Sequence, residues 1–408
     1  MSSNAPVSAP VNAPVRRRRV FYIPGYDPIP PRRYRELYRK ESAAQAGISD
    51  YGISILPSEA KVRFGWGVQA RMDGAEIDTQ VEVLVWSDIV KGSMDQGILA
   101  TYAQLVRTAA TYIGTGTLFR LTRLRKGPVI AALYPVGFLL TQLGLALLAA
   151  WGLGQVLALL HPLAAWGGLI VVPLILEWFR RMDGRFFAYY LMHDYAYSAR
   201  HLGANPPELE ARMADFTAEI ARALQGDCDE VLVVGHSSGA HLGVSILADL
   251  IRVGGVPATG PALSFLSLGQ VVPMVSFLPR AWRLRADLAY LSAREELFWL
   301  DVTAPGDGCA FALCDPVSVS GVAPESKRWP LVISAAFTQS LSPERWRALR
   351  WRFFRLHFQY LCAFDRPKDY DYFRITAGPQ TLAQRFTGRP PSKSRIERAT
   401  SGYTSLAP

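Results

Sequence analysis

The chain has 408 residues, enough for two or three ordinary domains or for one large α/β domain carrying insertions. Half of the residues are hydrophobic, only 19% are charged and the mean hydropathy is +0.11, which excludes a wholly disordered chain and points to membrane contact. Lys and Arg number 44 against 34 Asp and Glu, a net charge of +10 that nucleic acid and anionic lipid would attract equally, and the four cysteines (Cys228, Cys309, Cys314, Cys362) fit neither a disulfide framework nor a zinc ribbon.

Residues 1–19 are rich in Ala, Pro, Val and Ser and end in the run Arg16 to Arg19. Without periodicity they are expected to form a basic disordered tail, and they lack the apolar stretch of a secretory signal. Residues 20–23 (VFYI) read as a short buried strand stopped by Pro24-Gly25. A helical pattern follows over 31–44. Strands are expected over 61–71 and 79–86, and another helix over 94–113.

From Gly127 to Leu176 fifty consecutive residues contain no Asp, Glu, Lys or Arg. Breaks at Gly152 to Gly154 and at His161-Pro162 divide the stretch into spans of about 129–151 and 154–176. Each reaches the ~20 apolar residues that cross a hydrocarbon core of ~30 Å. Arg120, Arg123, Arg125 and Lys126 precede the first span, and Arg180, Arg181 and Arg185 follow the second. The positive-inside rule then puts both flanks in the cytoplasm and the uncharged turn outside. Trp151 and Trp178 suit interfacial anchoring; Trp166 lies deeper in its span. Pro135 and Pro173 kink or tilt such helices without excluding them, and His161 reads as a polar residue at the turn.

Beyond the hairpin, residues 186–201 are aromatic and helical in pattern. Residues 207–224 form an amphipathic helix, with Leu209, Met213, Phe216, Ile220 and Leu224 at spacings of three and four. Pro206-Pro207 opens it and Gly226 closes it. Residues 230–234, 263–268 and 298–302 read as buried strands. Strands alternating with helices argue for α/β architecture with a doubly wound, mostly parallel sheet. The polar, basic segment 378–408 is expected to be a second disordered tail.

The sharpest motif is Gly235-His236-Ser237-Ser238-Gly239, G-x-S-x-G between an apolar strand and a helix. The turn requires small residues two before and two after the serine. It lifts the hydroxyl off the sheet and aims the Ser238 N–H, at a helix start, toward a developing oxyanion. A plain Gly/Ser turn is the competing reading. Together with Ile23-Pro24-Gly25-Tyr26-Asp27-Pro28, this motif resembles the α/β-hydrolase superfamily, in particular its lipases and esterases. The resemblance extends over about residues 20–375 as a pattern of elements interrupted by the hairpin. It implies that the loop after the first strand gives a second oxyanion donor, the Tyr26 N–H, against the alternative of a plain β-turn. It also implies the order serine, acid, histidine.

Of six histidines only His357 lies far downstream of Ser237, in a segment expected to be a last strand running into a helix. Its imidazole would act as base and then as acid. For the orienting acid, Asp307 follows the strand 298–302 in a Pro/Gly loop; Asp301 within that strand and Asp315 in a later turn remain alternatives. Arg345, Arg347, Arg350, Arg352 and Arg355, with Trp346, Trp351, Phe353 and Phe354, form either a solvated face or a lipid-facing rim.

The sequence thus predicts five regions: a tail 1–19, the first part of a hydrolase domain 20–126, a transmembrane hairpin 127–178, the second part 179–377 and a tail 378–408. The expected protein is a serine hydrolase of the inner membrane with domain and termini cytoplasmic. It would cleave esters or thioesters of lipid-like acyl groups, using no cofactor or metal and binding no nucleic acid; its partners are the bilayer and an acyl ester. An acyltransferase with the same triad and a non-catalytic scaffold are the alternatives.

Overall fold

The computed structural model describes residues 14–58, 64–94 and 96–408. Eight strands form one sheet in the order β2-β3-β4-β1-β5-β6-β7-β8. They are β1 (Arg17–Ile23), β2 (Gly52–Leu56), β3 (Gly65–Met72), β4 (Ala75–Val83), β5 (Glu230–His236), β6 (Ala262–Leu268), β7 (Leu297–Thr303) and β8 (Leu331–Ser334). From β4 to β8 all neighbours are parallel, while β2, β3 and β4 are antiparallel. The Asp73-Gly74 pair, both at positive φ, makes the tight turn between β3 and β4.

Both faces of the parallel part are covered, which is why its strands are continuous apolar runs. Val20, Tyr22, Leu232, Val234, Leu266 and Leu300 pack on one face. Phe21, Ile23, Val231, Val233, Phe265 and Trp299 pack on the other, against the amphipathic helix Pro207–Leu224 and the helix Ser238–Arg252. Chain order reverses between β1 and β5, so their carboxyl ends open onto the crevice where ligands of such sheets bind.

Two terminal expectations are corrected. Arg17 to Arg19 belong to β1, not to a tail; residues 1–13 lie outside the described residues. Period-two alternation buries Arg18 completely, and its guanidinium bonds Glu230 at 2.6 Å and the carbonyls of Gly378 (2.8 Å) and Gln380 (2.5 Å). Glu230 in turn accepts from Ser264 and from the Leu382 N–H, both at 2.7 Å. Residues 378–408 therefore pack on the body, with Leu382 and Phe386 buried, and the Ser405 carbonyl accepts from the buried Arg285. Polar composition hid a segment whose backbone satisfies interior arginines.

The apolar stretch forms one helix, Lys126–Ala158, then a 3-10 segment, Pro162–Ile170, and a helix, Val171–Arg181. The turn lies at 159–161, at the expected break His161-Pro162; the first helix runs through the other expected break, Gly152 to Gly154, so the span bounds 129–151 and 154–176 are corrected. A glycine inside a helix costs only ~1 kcal/mol, and here close packing uses it. A Cβ on Gly168 would stand 2.2 Å from the Ala150 carbonyl oxygen, and one on Gly154 would stand 2.8 Å from that of Ala165. His161 caps the 3-10 segment, its Nδ1 accepting from the Leu163 N–H. Both legs are long and apolar enough to cross a membrane, and only 22% and 11% of their most apolar windows are buried.

Arg18→Ala, which leaves Glu230 without its buried counter-charge, is expected to destabilise the protein by about 3–5 kcal/mol. The measurement is the denaturant midpoint of the detergent-solubilised protein. Arg17→Ala, whose partner Asp227 is exposed, should change stability by less than about 1 kcal/mol.

Candidate active site

Ser237 stands between β5 and the helix Ser238–Arg252 at φ 56°, ψ −120°, a conformation that costs a non-glycine residue about 1–3 kcal/mol. The glycines beside it permit the turn. A Cβ on Gly235 would stand 2.6 Å from the Gly239 carbonyl oxygen, and one on Gly239 would stand 2.1 Å from that of Ile23. The loop after β1 is equally close: a Cβ on Gly25 would lie 3.0 Å from Ser237 Cβ and 3.4 Å from its Oγ. The N–H groups of Ser238 and Tyr26 donate no hydrogen bond to the described residues. Trp86 holds the loop by donating its indole N–H to the Pro24 carbonyl at 3.0 Å.

His357 reaches this corner from the end of a short helix, Phe353–His357, not from a strand running into a helix. Its Nδ1 bonds Asp307 Oδ2 at 2.7 Å. Its Nε2 is buried and makes no hydrogen bond. Ser237 and His357 are brought to the same strand ends: the Ser237 N–H bonds the Leu268 carbonyl, and a Cβ on the next residue, Gly269, would be 3.0 Å from His357 Cε1.

Asp307 is the carboxylate that meets the histidine. Tyr360 donates its hydroxyl to Oδ2 (3.0 Å) and Cys309 donates its N–H to Oδ1 (2.8 Å). Burial pushes the Asp307 carboxyl up, but the His357 ring and these donors outweigh it and hold it below the usual carboxylate range. The alternatives serve the framework. Asp301 accepts from the Ser267 hydroxyl at 2.6 Å, inside β7. Asp315 caps the turn at Val317 and Ser318 and pairs with Lys327 at 2.7 Å. Asp307, Cys309 and His357 bring three potential metal-ligand atoms within 4.8 Å of one another. The bond between Asp307 and His357 is a competing use of two of these residues.

Several residues around the site carry no motif. His236 packs its ring 4.8 Å from that of His357 and donates from Nε2 to the His357 carbonyl (3.0 Å). Burial lowers its pKa to about 3, so it stays neutral. The helix Ala188–Arg200 covers the strand ends, with the Tyr190 hydroxyl donating to the Tyr26 carbonyl and Phe187 packed on Phe354 at 4.8 Å. Trp351 and Phe353 of the basic aromatic segment are exposed. The hairpin's base also touches the acid loop: a Cβ on Gly127 would stand 3.2 Å from Gly308 Cα.

Beneath the cover a crevice of about 20 Å³ adjoins Tyr26 and Ser238. Two wider clefts, of about 650 and 1010 Å³, lie around Arg17 and Arg16 at the opposite strand ends, away from Ser237. No protein-family model matches the chain, and comparison with curated proteins and with solved structures gave no match.

Burial, with a smaller contribution from Asp315, raises the Asp301 carboxyl to about 8. Its folded pKa therefore exceeds the unfolded value of ~3.9. The stabilisation is complete below about pH 4 and is lost as pH rises through about 8, at up to ~1.4 kcal/mol per pH unit. Urea titrations at pH 5 and pH 8 should show wild type losing more stability on going to pH 8 than Asp301→Asn. Equal losses would mean that Asp301 is ionised in the fold.

Proposed function

We propose that the chain is a membrane-anchored serine hydrolase of the α/β-hydrolase type, cleaving esters or thioesters of lipid-like acyl groups. The observation that carries this reading is a serine in a strained elbow beside a buried His357–Asp307 pair whose Nε2 is unoccupied. Ser237 Oγ attacks the acyl carbonyl while His357 Nε2 takes its proton. Asp307 holds Nδ1 protonated and stabilises the imidazolium. The N–H groups of Ser238 and Tyr26 bind the oxyanion. His357 then returns the proton to the leaving group, and water, activated the same way, releases the acyl group. An alcohol in place of water would make the same apparatus an acyltransferase.

Membrane attachment is supported by the hairpin and by what adjoins it. Leu99, Val106 and Ile113, seven apart on the helix Ile98–Gly114, are exposed, as is Phe119. Ile130, Leu140, Leu148, Trp151 and Trp178 of the hairpin are exposed as well. The arginines on both flanks favour a cytoplasmic domain.

The test is fluorophosphonate labelling of solubilised membranes. Wild type should label and Ser237→Ala should not. His357→Ala should label far more slowly, and Asp307→Asn should lower kcat for an acyl ester about 10³–10⁴-fold. A folded wild-type protein that fails to label would leave a non-catalytic scaffold as the reading.

A further inference from the structure

The cover helix Ala188–Arg200 carries a carboxyl group that the proposed reaction does not use. Asp194 lines the crevice beside Tyr26 and Ser238, the two residues assigned to the oxyanion. It makes no hydrogen bond or ion pair among the described residues, whereas the other acids of the site, Asp27 and Asp307, are both held by donors. No Lys or Arg lines the crevice, and burial lowers the pKa of His241, which does, to about 4, so it is neutral. Desolvation raises the Asp194 carboxyl to about 7, with His357 pulling the other way. The other titratable groups in electrostatic reach are the hydroxyls of Tyr26, Tyr112, Tyr190 and Tyr195 and the Cys309 thiol, all held uncharged by burial. Asp194 is partly buried, and a carboxylate with no cation beside it on the wall of a narrow crevice draws a substrate cation.

We propose that the crevice bounded by Asp194, Tyr197, Asn205 and His241 binds a primary ammonium group on the substrate, with the Asp194 carboxylate as its counter-charge. The assignment rests on the hydrolase reading and names its substrate class: acyl esters whose polar part ends in an amine. The rings of Tyr26, Trp86 and Tyr197, with centroids 5.6 to 6.4 Å apart, form an aromatic lining that also favours a cation. Size selects the kind of cation. A volume of about 20 Å³ accommodates one water-sized group, which a primary ammonium is and a trimethylammonium is not. Asn205, whose Nδ2 donates to Glu210, and Ser198 also line it.

The experiment compares kcat/KM for the aminoethyl, hydroxyethyl and trimethylammonioethyl esters of one fatty acid, using the full chain in detergent micelles. Wild type should prefer the aminoethyl over the hydroxyethyl ester by about tenfold or more, the worth of one charged hydrogen bond. In Asp194→Asn that ratio should fall to near one, and Asp194→Glu, which keeps the charge, should retain part of it. A ratio within one variant does not depend on the fraction of protein folded. A wild-type ratio near one, a preference that survives Asp194→Asn, or a best rate with the trimethylammonioethyl ester would each overturn the assignment. Wild type that labels with a fluorophosphonate but shows no ammonium preference removes this inference alone. Wild type that does not label removes the hydrolase reading and this inference with it.

Discussion

At the turn from β5 into its helix the chain has room for backbone and none for side chains. Gly235 and Gly239 approach neighbouring carbonyls more closely than any Cβ allows, and Gly25 brings the β1 loop against Ser237. That steric condition fixes the remaining geometry. It holds Ser237 at positive φ and leaves the Ser238 N–H without an intrahelical acceptor. It also seats the β1 loop beside the hydroxyl. The strain needs a framework stiff enough to over-determine it. The central strands, buried on both faces, provide that stiffness.

The second requirement is electrostatic. Arg18, Glu230, Arg285 and Asp307 are buried charged side chains, and each is met by several partners. Each has at least one partner from a distant part of the chain, so each group joins elements that local pairing would not. Glu230 ties β1, β5, β6 and the C-terminal segment in one cluster. Tyr360 couples the acid to the strand end, donating to Asp307 while accepting from the Ala304 N–H at 3.0 Å. Asp194 stands apart because no described residue donates it a hydrogen bond and no Lys or Arg lines its crevice.

Much of this was legible in the sequence because the signals were local. Periodicity located the helix Pro207–Leu224 to the residue, and apolar runs located β5, β6 and β7 within a residue or two. The elbow was readable because its glycines stand at fixed offsets from Ser237. Chain order pointed to His357 and left three acids open; Asp307 is the one that bonds His357, while Asp301 and Asp315 have other partners. What was missed depended on distant contacts. β2, with its alternating half-exposed residues, and the four-residue β8 lacked a strong pattern. The C-terminal segment looked disordered because its binding groups are carbonyls, which every sequence possesses. Of the two breaks read in the apolar stretch, His161-Pro162 falls at the turn, whereas Gly152 to Gly154 does not, because Gly154 serves close helix packing.

The two strands whose ends meet at Ser237 are far apart along the chain. Arg18 of β1 and Glu230 of β5 are separated by 212 positions, with the whole hairpin between them. Closing such a loop costs entropy that grows only as the logarithm of its length, so an insertion of fifty residues adds well under ~1 kcal/mol. The penalty falls on rate instead, because parallel pairing over this distance is slow. Until β5 arrives, β1 presents an unpaired edge of the kind that templates aggregation. Strand pairing that completes the corner at Ser237 also closes that edge, so the chain is at its most vulnerable before that corner has formed.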